Sequence, residues 1–192
     1  MTPGSNRLWR VFPWDPEAVD GEPFSSTFVP SIQGKGRFDL PGVPAGVLYL
    51  AESPEHAVGE AIQHYRGHDL DNSDLLVAGR ALALVRVSVP ADVLARTVDL
   101  CDPEVLVREG LRPDHLAARD RTSTQRIAAD LHRAGHAGLR WWSALAGDWH
   151  TIVLFRDRLS EWPAHDTPAR LTLDHPAVRE AATALGISVS RR

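Results

Sequence analysis

The chain has 192 residues, 43% of them hydrophobic and 24% charged, with a formal net charge of −4 at neutral pH. That is enough for one domain with a full core, and the composition is ordinary for a soluble globular protein. The negative balance argues against nucleic acid as the main partner, no apolar run reaches the roughly 18 residues of a membrane helix, and the single Cys101 excludes an intramolecular disulfide and a cysteine-based zinc knuckle. The opening residues lack a basic region followed by a long apolar core, so no secretory signal is expected and a cytoplasmic setting is the default. Arginine is abundant while Lys35 is the only lysine. Arginine suits planar, bidentate contacts with phosphate or carboxylate.

Residues 7–12 (RLWRVF) read as a first strand, with Leu8, Arg10 and Phe12 on one face and Trp9 and Val11 on the other. An arginine in so short an apolar strand fits either an edge strand with Arg10 in solvent or a functional group. Residues 13–47 form a long stretch rich in Pro, Gly and Ser, and loops of that length are usually functional or disordered. It contains Gly34-Lys35-Gly36-Arg37-Phe38, where two glycines beside two cations would allow close backbone approach to an anion.

Residues 46–61 (GVLYLAESPEHAVGEA) read as a short strand, 47–51, that turns at Ser53-Pro54 into a helix. Serine is a favoured N-cap, and proline suits the first helical position because its missing N–H would be orphaned there. Ala57, Val58, Ala61, Ile62 and Tyr65 share one helix face, and Glu60 lies off that stripe, directed away from the core.

Residues 64–74 are a polar connection, and 75–89 are apolar and β-branched, with 81–89 the clearest strand. Pro90 starts a short turn of helix, 97–100 a brief strand, and Asp102-Pro103-Glu104 a short helix through Glu109. Thr122-Ser123-Thr124-Gln125 fits a capping box for a helix with Ile127, Leu131 and Ala134 on one face and Gly135 at its end. Residues 138–143 (GLRWWS) form a strand ending in a tryptophan pair and a serine, followed by an Ala146-Gly147-Asp148 turn and a core strand, 150–155. Beyond Pro163 the chain is looser, with a helix over 175–185 expected to pack on the domain or on a second subunit.

Leu8-Trp9-Arg10-Val11, then Gly36-Arg37-Phe38, then Leu48-Tyr49-Leu50-Ala51-Glu52-Ser53 with Glu60 following, then Gly138-Leu139-Arg140-Trp141-Trp142-Ser143-Ala144 stand in an order that resembles the RES domain family. That family is named for an arginine, a glutamate and a serine. The resemblance covers about residues 7–158 and leaves 163–192 as a tail. It implies a single α/β domain with a mixed, partly split sheet, similar to the ADP-ribosyltransferase fold. By position, Arg10 is the first-strand arginine, Arg37 the second, Tyr49 the tyrosine of the central strand, Glu60 the helix glutamate and Ser143 the serine. Catalysis would fall to Glu60, Arg10 and Ser143, and substrate contacts to Arg37, Tyr49, Trp141 and Trp142. Thr122 is a further substrate-binding candidate, near a position where some relatives carry a serine. Phe38-Asp39 stands where relatives often have Trp-Asn, Val11 where several have tyrosine, and His150-Thr151 where asparagine is common.

The resemblance also implies NAD+ as substrate rather than resident cofactor, with inorganic phosphate a possible co-substrate. It implies a toxin neutralised by an Xre-like helix-turn-helix antitoxin, without direct nucleic-acid or membrane binding, and a possible homo-oligomer. Transfer of ADP-ribose to a protein and a non-catalytic regulatory module are the alternatives. The residue types suit the chemistry. Breaking the nicotinamide–ribose bond develops positive charge at the ribose C1 carbon, which a carboxylate stabilises.

His56, Glu60, His64 and His68 recur at four-residue intervals, as metal ligands on one helix face would. Each step drifts about 40° around a helix, no His-Glu-x-x-His pattern occurs, and Gly67 is placed to end the helix. No metal is therefore expected. No Gly-x-Ser-x-Gly elbow of a serine hydrolase is present either.

Overall fold

A computed structural model describes residues 7–44, 46–118 and 120–190. Residues 1–6, on which the expectation of no signal segment partly rests, and the last two residues of the tail lie outside the described residues. In chain order the elements are β1 (Arg7–Pro13), β2 (Val47–Ala51), α1 (Pro54–Ile62), β3 (Asp69–Leu70), β4 (Leu76–Val77), β5 (Arg80–Ser88), α2 (Ala91–Ala95), β6 (Thr97–Asp99), α3 (Pro103–Arg108), α4 (Pro113–Ala117), α5 (Arg121–Arg133), β7 (Gly138–Trp142), β8 (His150–Phe155), β9 (Ala164–His165), β10 (Ala169–Arg170), α6 (Pro176–Leu185) and β11 (Ser188–Val189).

The main sheet runs β10-β5-β1-β2-β8-β7-β6, with β4 and β9 also paired to β5. Its pairs are antiparallel except β6 with β7, so the sheet is mixed. β1 is an inner strand, not the edge strand its arginine allowed. It lies against β5 over seven residue pairs. Alternation along a strand reports its two faces and says nothing about its neighbours, which is why the edge expectation fails.

On the other side, β1 meets β2 at one pair only, Trp9 with Ala51, whereas β2 pairs with β8 at five. The sheet is therefore split between β1 and β2. One face carries a continuous core of Leu8, Phe12, Leu48, Leu50, Val85 and Leu154. The opposite face carries two clusters. Val58 and Ile62 of α1 pack with Val178, Ala181 and Leu185 of α6, while Ile127 and Leu131 of α5 pack with Leu139, Val153 and Phe155.

Local chemistry explains the helix starts. The Ser53 side chain accepts from the His56 N–H at the head of α1, and Pro54 takes the first helical position. The cap of α5 differs from the expected box. Asp120, not Thr122, is the N-cap, and its carboxylate accepts from the Thr122 and Ser123 N–H groups. An aspartate one position before the first turn offers two acceptor oxygens, which a threonine cannot.

The segment after Pro163 is integral to the domain. β9 and β10 extend the β5 edge, α6 lays a buried apolar face against α1, and β11 forms a two-stranded parallel sheet with β3. None of the described helices is long and apolar enough to cross a membrane.

Candidate functional site

A cavity of about 600 Å³ opens where β1 and β2 part. Arg10, Arg37, Tyr49, Glu60, Trp141, Trp142 and Ser143 all line it, from three strands, one helix and the long loop. A larger space of about 960 Å³, between Asn72, Arg179 and Ser190 near the end of the chain, holds none of these residues.

One wall is built on α1 and the end of β7. The Ser143 hydroxyl donates to Glu60 Oε1 at 2.8 Å, and His56 Nε2 lies 3.3 Å from the same oxygen. Gln63 donates to Oε2 at 3.0 Å. Ser143 is in turn fixed by Leu145, whose N–H donates to its oxygen at 3.1 Å. Burial of the Glu60 carboxyl raises its pKa, but the bonds from His56, Ser143 and Gln63, together with the charge on His56, outweigh that. The net result is a carboxyl held below its ordinary range. Its side chain is still 44% exposed, so this ionised group faces the cavity.

The strand leading into α1 is anchored from behind. Arg140 donates to both Glu52 oxygens and to Asp99, and His150 Nδ1 lies 3.3 Å from Glu52. The Glu52 bond, ahead of any other cause, raises the Arg140 pKa above its ordinary value. His150 thus serves the turn between β2 and α1.

The other wall is cationic and belongs to the long loop. Arg10 reaches out of β1 and donates to the carbonyls of Ser26 and Phe28 at 2.8 and 2.6 Å, with its guanidinium 5.4 Å from the Phe12 ring centre. Burial lowers its pKa to about 10, which leaves it charged at neutral pH. Arg37 uses one nitrogen, Nη1, for the carbonyls of Leu116 and Ala118. The loop is held by long-range bonds. Thr124 donates to the Arg37 carbonyl, and Gln125 to the carbonyls of Gly34 and Gly36.

Tyr49 serves the loop as well as the cavity. Its hydroxyl donates to buried Asp39 at 2.8 Å and accepts from the Phe38 N–H at 3.0 Å. Burial first, then the Asp39 charge, raises its pKa, so it stays protonated. Asp39 also accepts from the Gly36 N–H at 2.7 Å. A Cβ at Gly36 would lie 2.3 Å from Asp39 Oδ1 and 2.5 Å from the Tyr49 hydroxyl. That glycine is required by this hydrogen-bonded knot. Trp141 and Trp142 stack on each other at 3.5 Å between ring centres, with Phe38 edge-on to Trp141 at 6.2 Å.

Thr122 stands apart. It is exposed on the first turn of α5 and does not line the cavity, which receives Arg121 from that turn instead. His64 and His68 do not continue the row begun by His56 and Glu60. α1 ends at Ile62, and His64 stacks against Tyr65 in a following 3-10 turn. Among the described residues, no group of three or more His, Cys, Asp or Glu side chains is placed to hold a metal.

The model of the RES domain family matches residues 7–174. This chain belongs to that family. The match extends past Arg158 through β9 and β10, the strands that close the β5 edge. Among solved structures, the RES chain is similar in fold to one from the crystal structure of the M. tuberculosis MbcT–MbcA toxin–antitoxin complex. The TM-score is 0.59 at 17% identity, over 92% of this chain and 88% of that one. No curated protein sequence matches.

Two cavity groups escape a sequence reading of the RES motifs. Arg121 is hidden because a cap at Thr122 would leave it outside the helix, whereas the cap is Asp120. His56 is hidden because its four-residue spacing to Glu60 points equally to a metal ligand, a core residue or a hydrogen-bond partner.

Proposed function

We propose that this protein is the toxin of a toxin–antitoxin pair and that it cleaves NAD+ at the nicotinamide–ribose bond. The observation that carries the reading is an ionised Glu60, held by Ser143 and His56, facing a cavity that also receives Arg10, Lys35, Arg37 and Arg121. A dinucleotide needs cations for its pyrophosphate and one carboxylate at the reacting ribose, and the cavity offers that division.

In this reading the C–N bond breaks with its electron pair leaving on nicotinamide. Glu60 stabilises the cationic ribose C1 carbon, and water or inorganic phosphate attacks it. Ser143 fixes the carboxylate, the arginines hold the pyrophosphate, and the Trp141–Trp142 pair and the Tyr49 ring offer surfaces for the bases. The similarity to a chain of a toxin–antitoxin complex supports a protein antitoxin as partner, and an Xre-like helix-turn-helix protein acting in the cytoplasm is the specific form proposed.

Incubating the purified protein with NAD+, with and without inorganic phosphate, and following nicotinamide tests the activity. Release that is lost in Glu60→Ala is expected, and phosphate dependence separates phosphorolysis from hydrolysis. Absence of release, or release undiminished in Glu60→Ala, overturns the catalytic reading. Growth arrest on expression, relieved by a co-expressed helix-turn-helix protein encoded beside it, tests the toxin role.

A further inference from the structure

The carboxylate of Glu60 has an unequal distribution of bonds. Oε1 receives the Ser143 hydroxyl at 2.8 Å and faces His56 Nε2 at 3.3 Å, while Oε2 receives only the Gln63 amide at 3.0 Å. A carboxylate oxygen has about two acceptor sites. Oε1 is therefore filled, and Oε2 keeps one acceptor site free.

His56 is built for this bond. The ring is 1% exposed and stacks on Trp149 at 5.1 Å between centres, which fixes its plane. Nδ1 is buried without a hydrogen-bond partner. A carboxylate oxygen only accepts, so Nε2 carries a proton and donates it toward Oε1. Gly59, the residue before Glu60, leaves room for the same indole. A Cβ there would lie 2.6 Å from the Trp149 ring. A residue needed only to fill this space would be apolar, because an unpaired buried nitrogen costs stability.

From this geometry we infer that His56 is a positioning residue for the proposed NAD+ cleavage: with Ser143 it anchors Oε1 of Glu60 and leaves Oε2 as the oxygen presented to the ribose. The inference rests on the activity proposed above. Other charged or titratable side chains on elements packed against α1 are Arg7 and Arg10 on β1, Tyr49 on β2, His64 and Tyr65 on the following 3-10 turn, Arg80 and Arg86 on β5, and Arg179 and Glu180 on α6. Arg10 and Tyr49 bond the long loop, while Arg80, Arg86 and Arg179 pair with Asp15, Asp166 and Asp174. Across the cavity stand Lys35, Arg37 and Arg121. Among the described residues, Glu60 is the hydrogen-bond partner of the His56 ring.

His56→Phe keeps an aromatic ring beside Trp149 and removes the donor, whereas His56→Gln keeps an N–H within reach of the same oxygen. For nicotinamide release, His56→Phe is expected to lower kcat roughly tenfold or more with little change in KM, and His56→Gln to restore part of it. Equal kcat in the wild type and His56→Phe, or no difference between the Phe and Gln variants, overturns the inference. A second measurement is independent of turnover. In protein carrying a ¹³C-labelled glutamate carboxyl, with the Glu60 signal assigned by its loss in Glu60→Gln, the Glu60 titration midpoint is expected to rise in His56→Phe and to rise less in His56→Gln, which keeps the donor without the charge. A midpoint unmoved by Phe, or raised as far by Gln as by Phe, overturns it. If the wild type releases no nicotinamide, the proposed activity fails while the titration still decides His56. Should His56→Phe prove unfolded by circular dichroism, His56→Leu, which also removes the donor, is titrated in its place against the same outcomes.

Discussion

Glu60 and Arg37 face one cavity from supports of opposite character. Glu60 sits on a capped helix that follows directly from an inner strand, and its partners His56 and Gln63 come from its own helix and the turn that follows. Arg37 sits in a segment whose described residues hold no helix or strand, placed by bonds to residues as distant in sequence as Leu116, Thr124 and Gln125. The carboxylate wall is therefore held mainly by local order, with Ser143 as its one distant bond, and the cationic wall by cross-links. Substitutions in the first should change chemistry with little effect on the fold. Substitutions in the second should weaken both together.

Glu60→Gln is the sharpest test of that contrast. It preserves shape and removes charge, so nicotinamide release should fall about a hundredfold or more while the melting temperature stays near the wild-type value. A fall in melting temperature as large as that of any loop variant would erase the distinction. Gly36→Ala is the counterpart. Its methyl group cannot fit beside Asp39 and Tyr49, so the loop must shift. A loss of about 2 kcal/mol is expected, visible as a lower denaturation midpoint, and activity should drop with it.

Tyr49→Phe removes one hydroxyl and leaves Asp39 and the Phe38 N–H each short of a partner. Its cost should be roughly 1–2 kcal/mol in the same denaturation experiment. The smallest effect is pH-dependent. Because the Glu60 pKa is lowered in the folded chain, its contribution to stability is present above the ordinary carboxylate range and is lost as pH falls through the folded pKa. Glu60→Gln should therefore flatten the acid limb of a stability-versus-pH curve. An identical limb in both proteins would show that Glu60 contributes nothing there.

The same contrast marks what could be read from the chain. The β2–α1 joint was legible, because N-cap chemistry and a 3.6-residue period are written in adjacent residues. So was the direction of Glu60, off the apolar stripe. The position of β1 inside the sheet was not, since Arg10 looks the same on an edge or beside a split. The cap of α5 was misplaced by two residues, because Asp120 competes with Thr122 and wins on acceptor strength. The loop was hardest. Its order comes from pairs such as Gly36 with Gln125 and Arg37 with Leu116, far apart in sequence and invisible to any window. Thr122 and Arg121 are both exposed on the first turn of α5, but of the two only Arg121 lines the cavity.

Lys35 lines the cavity, stays exposed, and is the chain's only lysine. The protein therefore carries a single side-chain amine, and it sits at the mouth of the proposed site. An amine-directed fluorophore or cross-linker would attach one reporter to that side chain in each molecule. Protection of Lys35 from labelling would then read out whether the cleft is filled by a small molecule or covered by another protein, without any need for turnover.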